Sequence, residues 1–424
     1  FTASQAYEGW TYRGGAFALA FAASWAIGLA LDTARRSGDA PTAERLVDAA
    51  ARVQEGYRRL PLAAHDALAA ADAPYYLEWL DHPSCDDYWR AIAIDEDYGR
   101  ITVPSLHVGG WWDVFLAGTL RNFAGLSTAG HAPQKLLVGP WAHSNWQPIG
   151  TNDPSAGTLV VDDWQLRWFD HFLRGRDTGV LDAPVTAYVV GDGWRDLESW
   201  PGTGRSSRTW FLHSGGRANS ATGDGVLSEE PPGEESPDLL IYDPAYPTPS
   251  LGGHSCCDEA SAPMGPACQA AAEGLKSVLV YTSDPLESDL ELIGDAEVRL
   301  HAASTALDTD FAARLCVVDG AGVSRNVLEG ILRARYRDSL SAPEPLVPGR
   351  VYELKIALGA LALRVAAGSR LRLDVSSSDF PQWDRNLNTS GDNAREGLSA
   401  ALVATQTVLH DAAHPSRLVL PVAG

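Results

Sequence analysis

The spacing of hydrophobic residues changes twice along the 424-residue chain, and this limits the folds that it can adopt. Residues 1 to about 95 carry apolar side chains at helical spacing, as in residues 17–22. From 96 to about 205, short apolar runs alternate with amphipathic helical stretches. From about 206 onward, short alternating segments replace helical spacing, and clusters of Gly, Pro, Ser and Asp separate them. The chain therefore divides into three regions of different secondary structure.

The first region predicts a mainly helical segment. An apolar run over residues 16–31 contains Ser24 and Trp25 and is short for a membrane span, so we interpret it as a buried helix. Pro41 and Thr42 after Asp39 predict the start of another helix. On composition alone, the aromatic residues of this region fit either an ordinary helical core or a lid that lines a pocket. These residues are Trp10, Tyr12, Trp25, Tyr75, Tyr76, Trp79 and Trp89.

The second region predicts a parallel sheet with crossover helices. Its apolar, β-branched runs are typical of strands buried on both faces. The order strand, helix, strand, helix, strand is the pattern of an open α/β sheet. The expected strands cover residues 101–108, 135–138 and 185–190, and the expected helices cover 116–126 and a stretch from a cap at Asp162 to Leu173.

The third region predicts an all-β sandwich or jelly roll. Residues 214–237 are rich in Gly, Ser and Glu and are expected to form an exposed excursion. No internal repeat of fixed period is present. The expected strands cover residues 209–212, 277–282, 297–303, 311–318, 351–358 and 370–376.

Charge and cysteine content exclude several classes of partner. A net charge of −21 without any basic cluster argues against binding to nucleic acid. No apolar run reaches the roughly 18 residues that span a bilayer, so we expect no membrane partner. Five cysteines, an odd and small number, imply no disulfide framework, although pairing of Cys256 or Cys257 with Cys268 stays open. His254 lies nearby, but the spacing fits no zinc motif, and no metal is expected.

Two motifs follow two of the predicted strands directly. Residues 109–115 read Gly-Gly-Trp-Trp-Asp-Val-Phe, and residues 139–145 read Gly-Pro-Trp-Ala-His-Ser-Asn. Because the carboxyl ends of parallel strands meet at one edge of a sheet, Asp113 and His143 should emerge side by side. Their separation of 30 positions accommodates one crossover with its helix. An Asp bonded to one His nitrogen fixes the tautomer, which leaves the other nitrogen as a general base.

A nucleophile for this pair is not found in the sequence. In α/β-hydrolases the order is Ser, then Asp or Glu, then His, and the Ser lies in a G-x-S-x-G turn. Ser127, Ser324 and Ser399 follow a Gly-x pair but lack the second glycine, and all come after Asp113. Ser4 comes before Asp113 but has no flanking glycines. On spacing alone, Asp113 and His143 could also be a turn residue and a satisfied polar group. Five other histidines receive no catalytic role: His107, His171, His301, His410 and His414.

Four stretches of the chain resemble the CocE/NonD family of hydrolases. This family includes cocaine esterase, α-amino-acid ester hydrolases, glutaryl acylases and X-prolyl dipeptidyl aminopeptidases. The similar stretches are residues 110–115, 138–145, 308–315 and 373–386. The last stretch, with Ser-Ser-Ser-Asp-Phe-Pro at 376–381 and Asp-Arg-Asn at 384–386, is very specific to the family.

The resemblance implies a partial α/β-hydrolase domain with a helical lid and a C-terminal jelly roll. The implied domains are the lid over residues 1–95, the C-terminal half of the α/β-hydrolase domain over 96–205, and the jelly roll over 206–424. Asp113 is implied as the triad acid and His143 as the triad base. The resemblance places Trp10, Trp25 and Phe115 in the substrate pocket, and we add Trp112 of the same motif. It implies no cofactor.

In the family, the nucleophilic Ser and a tyrosine of the oxyanion hole precede the lid, whereas this chain begins at Phe1, where the lid begins. We therefore expect a fragment, inactive alone, of a serine hydrolase that cleaves carboxylic esters or acyl amides through an acyl-serine intermediate. One alternative is an X-Pro dipeptidyl aminopeptidase, although we locate no acidic site for a free amino terminus. Another is a non-catalytic fragment whose jelly roll binds a ligand. The expected partner is a small-molecule ester or amide; a homo-oligomer stays open, and a cytoplasmic location is favoured.

Overall fold

The structure is a computed structural model that describes residues 4–71, 73–143, 146–201, 206–256, 260, 262 and 264–422. Helices dominate its first hundred residues. A π-helical turn, Tyr7–Thr11, leads into a short hairpin of β1 (Tyr12–Arg13) and β2 (Ala16–Phe17). Residues 16 and 17 belong to this hairpin, so the predicted helix begins only at Leu19. The helices are α1 (Leu19–Ser37), α2 (Ala40–Ala51), α3 (Val53–Tyr57), α4 (Asp66–Ala70), α5 (Pro74–Asp81) and α6 (Asp87–Arg90).

Helix α1 forms the centre of this helical segment. Its alanine-rich face is buried against the neighbouring helices, whereas Trp25 on another face is 44% exposed. Helix α2 begins where the sequence predicts, because the Asp39 carboxylate accepts a hydrogen bond from the Thr42 N–H at 3.1 Å. Such a cap satisfies one of the N–H groups that the first turn of a helix leaves unpaired.

A four-stranded sheet follows, with the order β3 (Ser105–Gly110), β4 (Gln134–Gly139), β5 (Val185–Val189) and β6 (Gly193–Leu197). The first three strands are parallel, as predicted, and β6 returns antiparallel to β5. Strand β3 begins four residues later than predicted, because Pro104 has no N–H for the ladder and Val103 is exposed. The crossover helices are α7 (Leu116–Ala129) and α8 (Val161–Arg174).

Helix α8 begins before the predicted cap. Its N-cap residue is Val160, which makes no side-chain cap, and Asp162 lies inside the first turn together with Asp163. Carboxylates in this position are stabilised by the positive end of the helix dipole, which explains their placement. Trp168 is buried, whereas Phe169 is 57% exposed, so the two rings do not share one face.

Eleven strands of the remaining chain are hydrogen-bonded into one sheet. Side chains from strands far apart in that sheet share one hydrophobic core, as in a jelly roll. A short helix, α9 (Ala270–Glu273), covers part of it. The strands are β7 (Ser206–His213), β8 (Val226–Ser228), β9 (Asp238–Tyr242), β10 (Leu279–Ser283), β11 (Leu290–Ser304), β12 (Asp310–Val318), β13 (Ser324–Arg333), β14 (Tyr352–Val365), β15 (Arg370–Ser376), β16 (Ala404–Leu409) and β17 (Arg417–Val422).

Residues 214–237 are mostly exposed, as composition predicts, but they do not lie wholly outside the β domain. They contain β8, which pairs with both β7 and β10, and they bury Ala218, Ser220 and Leu227. Composition therefore predicts the exposure of this stretch but not the short strand and the few buried residues inside it.

A buried ion-pair network joins the helical segment to the jelly roll. Arg333 donates to both carboxylate oxygens of Asp310, at 2.9 and 3.0 Å, and to Asp384 at 2.8 Å. Asp384 in turn accepts from the Phe17 N–H at 2.8 Å, and Asn386 donates to Asp310 at 2.8 Å. Breaking such buried charge networks typically destabilises a protein by several kcal/mol. Asp310, Asp384 and Asn386 therefore hold the helical segment against the β domain.

The α/β sheet and the jelly roll also share backbone and core contacts. Val190, just past β5, exchanges backbone hydrogen bonds with Ala362 and Arg364 of β14, at 2.9 and 2.8 Å. Ile293 and Ala360 of the jelly roll are buried in the same hydrophobic cluster as the strands of the α/β sheet. The edge of the α/β sheet that carries Asp113 and His143 is thus fixed against both other regions.

Cys256 takes part in a disulfide, whereas Cys268 is free and exposed. The pairing with Cys268 that the sequence left open is therefore not formed, and Cys257 lies outside the described residues. Within the described ranges, none of the helices has the length and apolar character needed to cross a membrane.

Candidate active site

Asp113 and His143 lie in two loops at the carboxyl edge of the parallel strands β3 and β4. The strand pairing continues into the loops, because the Trp111 N–H donates to the Gly139 carbonyl and the Trp112 N–H donates to the Trp141 carbonyl, both at 2.9 Å. The two loops are therefore held in register beyond the ends of the strands. This arrangement is the juxtaposition predicted from the spacing of the two motifs.

The glycines of both motifs are required by close approach. A Cβ on Gly110 would lie 2.1 Å from the Trp141 carbonyl oxygen, and a Cβ on Gly139 would lie 2.4 Å from the Trp141 ring. The fully buried Trp141 folds back over Gly139, which turns the chain sharply before His143. Only glycine lets the two loops approach this closely.

The Asp113 carboxylate connects its own loop to the His143 ring. Its Oδ1 accepts from the Phe115 N–H at 2.8 Å, and its Oδ2 lies 3.3 Å from His143 Nδ1. The Asp113 side chain is 1% exposed and that of His143 is 22% exposed. A buried carboxylate with one oxygen fixed by the backbone presents the other oxygen to the imidazole in a single orientation.

Aromatic rings form a continuous path from the helical segment to His143. The Phe115 ring meets the His143 ring edge-on, with centroids 4.6 Å apart, and Phe21 of α1 meets Phe115 at 5.9 Å. Trp25 stacks on Phe21 at 6.1 Å, and Trp10 packs against Phe21 at 5.6 Å. Three of the four predicted pocket residues, Trp10, Trp25 and Phe115, therefore belong to one aromatic cluster that reaches the His143 ring.

Trp112, the fourth predicted pocket residue, points elsewhere. It is 4% exposed and belongs to the hydrophobic cluster of the α/β sheet, with its ring 5.9 Å from that of His254. A binding role for Trp112 stays a prediction, and its contacts are those of a core residue.

A cavity of about 650 Å³ opens beside Asp113, between the helical segment, α7 and the jelly roll. Its wall includes Trp10 and Phe21 from the helical segment and Asp113 from the α/β sheet. The jelly roll contributes His254 and Glu329. All three regions of the chain therefore meet at this cavity, which has the volume of an ordinary small-molecule pocket; its wall includes Asp113, whereas His143 and Phe115 lie outside it.

A second carboxylate–histidine pair faces this cavity. Glu329 of β13 is 4% exposed, and its Oε1 accepts from the N–H of His254 at 2.6 Å and lies 2.7 Å from His254 Nδ1. The Gln382 amide also donates to this oxygen, at 3.1 Å. Burial alone would raise the pKa of Glu329. The charge and hydrogen bonds of His254, together with a hydrogen bond from the Gln382 amide, lower it to about 2.

This pair supports the loop of Asp113. Ser255 follows His254 and donates its N–H to the Trp112 carbonyl at 3.1 Å, and it accepts from the Val114 N–H at 3.4 Å. The sequence signal for this contact is Gly252-Gly253, both with positive φ: a Cβ on Gly253 would lie 2.7 Å from Glu329 Oε1. The sequence around His254 suggests at most a zinc ligand, and nothing in it connects His254 with Glu329.

Three of the histidines without a predicted role make contacts away from Asp113 and His143, and so does His107. His107 lies inside β3 beside Gln134, at 2.8 Å, and burial lowers its pKa. His410 is buried between Asp238 and Glu235, each 3.0 Å away, and His301 and His414 meet each other on the jelly roll. None of these contacts involves Asp113 or His143.

Two family models match the chain in succession. A model described as "X-Pro dipeptidyl-peptidase (S15 family)" matches residues 1–145, which include Asp113 and His143. A model described as "X-Pro dipeptidyl-peptidase C-terminal non-catalytic domain" matches residues 178–419. The boundary between the two matches falls within the α/β region, after both motifs.

Three known proteins are similar over most of the chain. Cocaine esterase from Rhodococcus sp. is 34% identical over 427 residues, covering 97% of this chain and 73% of the esterase. A selenomethionine-labelled α-amino acid ester hydrolase is 26% identical with a TM-score of 0.74, covering 87% of this chain and 64% of that protein. A CocE/NonD family hydrolase from Staphylococcus aureus shares the fold at 14% identity, with a TM-score of 0.63, covering 99% of this chain and 65% of that one. The chain thus spans slightly less than two thirds of each of these two solved proteins.

Proposed function

Because the chain belongs to the CocE/NonD family of serine hydrolases, we propose that it carries the acid and the base of a Ser-His-Asp triad whose parent enzyme cleaves carboxylic esters or acyl amides. The observation that carries this proposal is the contact of His143 Nδ1 with the buried Asp113 Oδ2, 3.3 Å apart, at the edge of a parallel sheet. The similarity to cocaine esterase and to an α-amino acid ester hydrolase supports the ester as the substrate class.

In this proposal, Asp113 keeps the proton of the imidazole on Nδ1. Nε2 of His143 then accepts the proton of the nucleophilic serine as its oxygen attacks the substrate carbonyl carbon. The imidazolium, stabilised by Asp113, gives that proton to the leaving alcohol or amine as the bond to the acyl carbon breaks. Water attacks the acyl-serine in the same way, and the carboxylic acid leaves.

The aromatic cluster and the cavity support an apolar or aromatic acyl group. The rings of Phe21 and Trp10 line both the aromatic path and the cavity wall, so a bound acyl group would exchange water for ring contacts. We propose that the three regions divide near residues 95 and 205. Their surfaces meet at the cavity, so the helical lid and the jelly roll would both shape substrate choice.

A second candidate is an X-Pro dipeptidyl aminopeptidase. Such an enzyme needs a carboxylate for the free amino group of its substrate, and the cavity wall includes Glu8 and Asp295. Asp295 is exposed on β11, so it can meet a charged group, and the desolvation that raises its pKa is opposed by the charge of Arg13. The S15 family model favours this candidate as well.

The direct test replaces His143 in the parent enzyme that joins this chain to its nucleophile. We expect His143→Ala to abolish hydrolysis of a p-nitrophenyl ester, with the circular dichroism spectrum and unfolding temperature retained. His131→Ala, at an exposed loop position, is the matched control and should keep the rate. Full activity of His143→Ala would exclude the proposed base.

Two further measurements separate the alternatives. A ratio of kcat/KM that favours a p-nitrophenyl ester over an X-Pro p-nitroanilide supports the esterase, and the reverse ratio supports the aminopeptidase. A fluorophosphonate probe should label the parent enzyme and leave this chain alone unlabelled. Labelling of this chain by itself would mean that one of its own serines is activated, and the proposal of an external nucleophile would fall. A parent enzyme that the probe does not label would instead support the non-catalytic, ligand-binding alternative.

A further inference from the structure

A buried polar layer lies inside the jelly roll. In the register of β12 and β15, Arg314 lies opposite Asp374 and Cys316 lies opposite Arg372. Because side chains two residues apart share one face of a strand, these four side chains point to the same face of the sheet. The segment that ends with Glu273 of α9 covers this face, since Glu273 accepts from Arg372 Nη1 at 2.6 Å.

Much of this layer is satisfied by hydrogen bonds. Arg314 donates to Gln269 Oε1 at 2.7 Å and to Asp379 Oδ1 at 2.6 Å. Gln269 donates to Asn326 Oδ1 at 3.0 Å, which also accepts from the Ala267 N–H at 2.7 Å. Buried polar groups are ordinarily paired in this way, so exceptions within the same layer need a cause.

Three exceptions lie around the fully buried Cys316. Glu273 Oε1, Asp374 Oδ1 and Ser324 Oγ are each buried without a hydrogen bond of ordinary length among the described residues, although the Cys316 thiol is close enough to interact with Ser324. Ser324 pairs with Val318 in the register of β12 and β13, which places it diagonally beside Cys316 on the same face. One atom each from Glu273, Cys316 and Asp374 lies within 4.8 Å of the other two.

We propose that Glu273, Cys316 and Asp374 bind a Zn²⁺ ion or a similar divalent transition-metal ion, with Ser324 Oγ beside the fourth position. Zinc–sulfur and zinc–oxygen bonds of roughly 2.3 and 2.1 Å at a tetrahedral angle separate S and O by about 3.6 Å. The Cys316 Sγ and Asp374 Oδ2 atoms are 3.8 Å apart. Oδ2 now accepts the Cys316 thiol hydrogen bond, and an ion that replaced the thiol proton would need these two atoms to move by only a few tenths of an ångström.

The charge of the layer also matches a divalent cation. Arg314 and Asp379 neutralise each other, and Arg372 offsets one of the two carboxylates, Glu273 and Asp374. The layer then holds one excess negative charge, or two when Cys316 is a thiolate, which a divalent ion balances. Without an ion, the buried carboxylates of Glu273 and Asp374 lie close together, and a cation would relieve their mutual repulsion.

Binding replaces the S–H bond of Cys316 with a bond between sulfur and the metal, and the thiol proton passes to solvent. The affinity should therefore rise with pH. Arg372 holds the other oxygen of Glu273 and would orient that ligand, as partners of metal ligands commonly do.

The test uses the whole chain, expressed in medium supplemented with Zn²⁺ or with Co²⁺ so that the ion is present while the chain folds. We expect about one ion per chain by mass spectrometry after gel filtration, and a near-ultraviolet sulfur-to-cobalt absorption band in the Co²⁺ protein. A metal content below about 0.1 ion per chain under these conditions would overturn the proposal, and a bound water or a shared proton would then explain the three oxygen atoms.

Variants separate this site from adventitious binding. Cys316→Ser should remove the cobalt band and lower the metal content at least about tenfold, whereas Cys268→Ser, at a free and exposed thiol, should change neither. Asp374→Asn, which has nearly the same shape, should also lower the metal content, and circular dichroism checks its folding. A cobalt band that survives in Cys316→Ser, or is lost in Cys268→Ser, would place the metal elsewhere and refute the assignment.

Discussion

Replacing Glu329 by Gln tests how the jelly roll supports the loop that carries Asp113. The pKa of Glu329 falls from 4.5 to about 2 in the folded protein. A difference of roughly 2.5 units, at about 1.36 kcal/mol per unit, corresponds to about 3 kcal/mol of stability at neutral pH. Because Glu329 is buried, solvent screening does not reduce this value much. Glu329→Gln removes the charge that produces this stability and keeps the size of the side chain.

The sign of the pH dependence follows from the lowered pKa. The contribution of Glu329 is fully present above pH 4.5 and is lost as the pH falls through about 2. We therefore expect Glu329→Gln to be less stable than the wild type by about 3 kcal/mol at pH 7, with the difference shrinking between pH 4.5 and 2. Urea unfolding followed by tryptophan fluorescence at several pH values measures this difference.

A matched control and a clear refutation accompany this experiment. Glu353→Gln changes a carboxylate that is 45% exposed and should shift stability by less than about 0.5 kcal/mol. A difference between Glu329→Gln and the wild type that is equally large at pH 7 and pH 3 would show that packing, rather than the charge pair with His254, stabilises this loop.

Two other perturbations test local arguments. Gly110→Ala should destabilise the chain by several kcal/mol, because its Cβ would collide with the Trp141 carbonyl. Gly28→Ala has open space around its Cβ in α1 and should stabilise the chain by roughly 0.5–1 kcal/mol. Equal unfolding temperatures of the two variants would contradict this. Burial lowers the pKa of His410, but Asp238 and Glu235 raise it above its ordinary value, so its contribution is complete below about pH 6.5 and is lost as the pH rises through the folded pKa. His410→Gln should therefore destabilise the chain more at pH 6 than at pH 9 in thermal unfolding, and the opposite order would refute the assignment.

The approach of Asp113 to His143 could be predicted because it depends on local rules. Each residue follows a short apolar strand, and parallel neighbours end at one edge of the sheet. The boundaries of β15 also match the prediction, since residues 370–376 alternate cleanly. Strand β11 begins at Leu290, well before the predicted start at residue 297. A β-bulge at Ala296/Glu297 and Gly294, with φ of 133°, interrupt the alternation of side chains, so the sequence pattern shows only the second part of the strand.

The support of the site by the jelly roll could not be predicted. His254 and Glu329 are 75 positions apart and meet only when the loop before β10 folds over β13. Neither residue lies in a periodic pattern. An acidic residue inside a strand, such as Glu329, is ordinarily expected to face solvent. The ion pair depends on tertiary burial, which the spacing of residues in sequence does not encode.

The catalytic role of the pair of Asp113 and His143 is tested most directly by Asp113→Asn in the parent enzyme. The amide can still accept from the Phe115 N–H, so the loop should keep its structure, but it cannot hold the proton of His143 on Nδ1 as the carboxylate does. We predict a fall in kcat of about 10⁴-fold on a p-nitrophenyl ester with little change in unfolding temperature. A variant that keeps more than about a tenth of the wild-type kcat would contradict the assignment of Asp113 as the acid that orients His143.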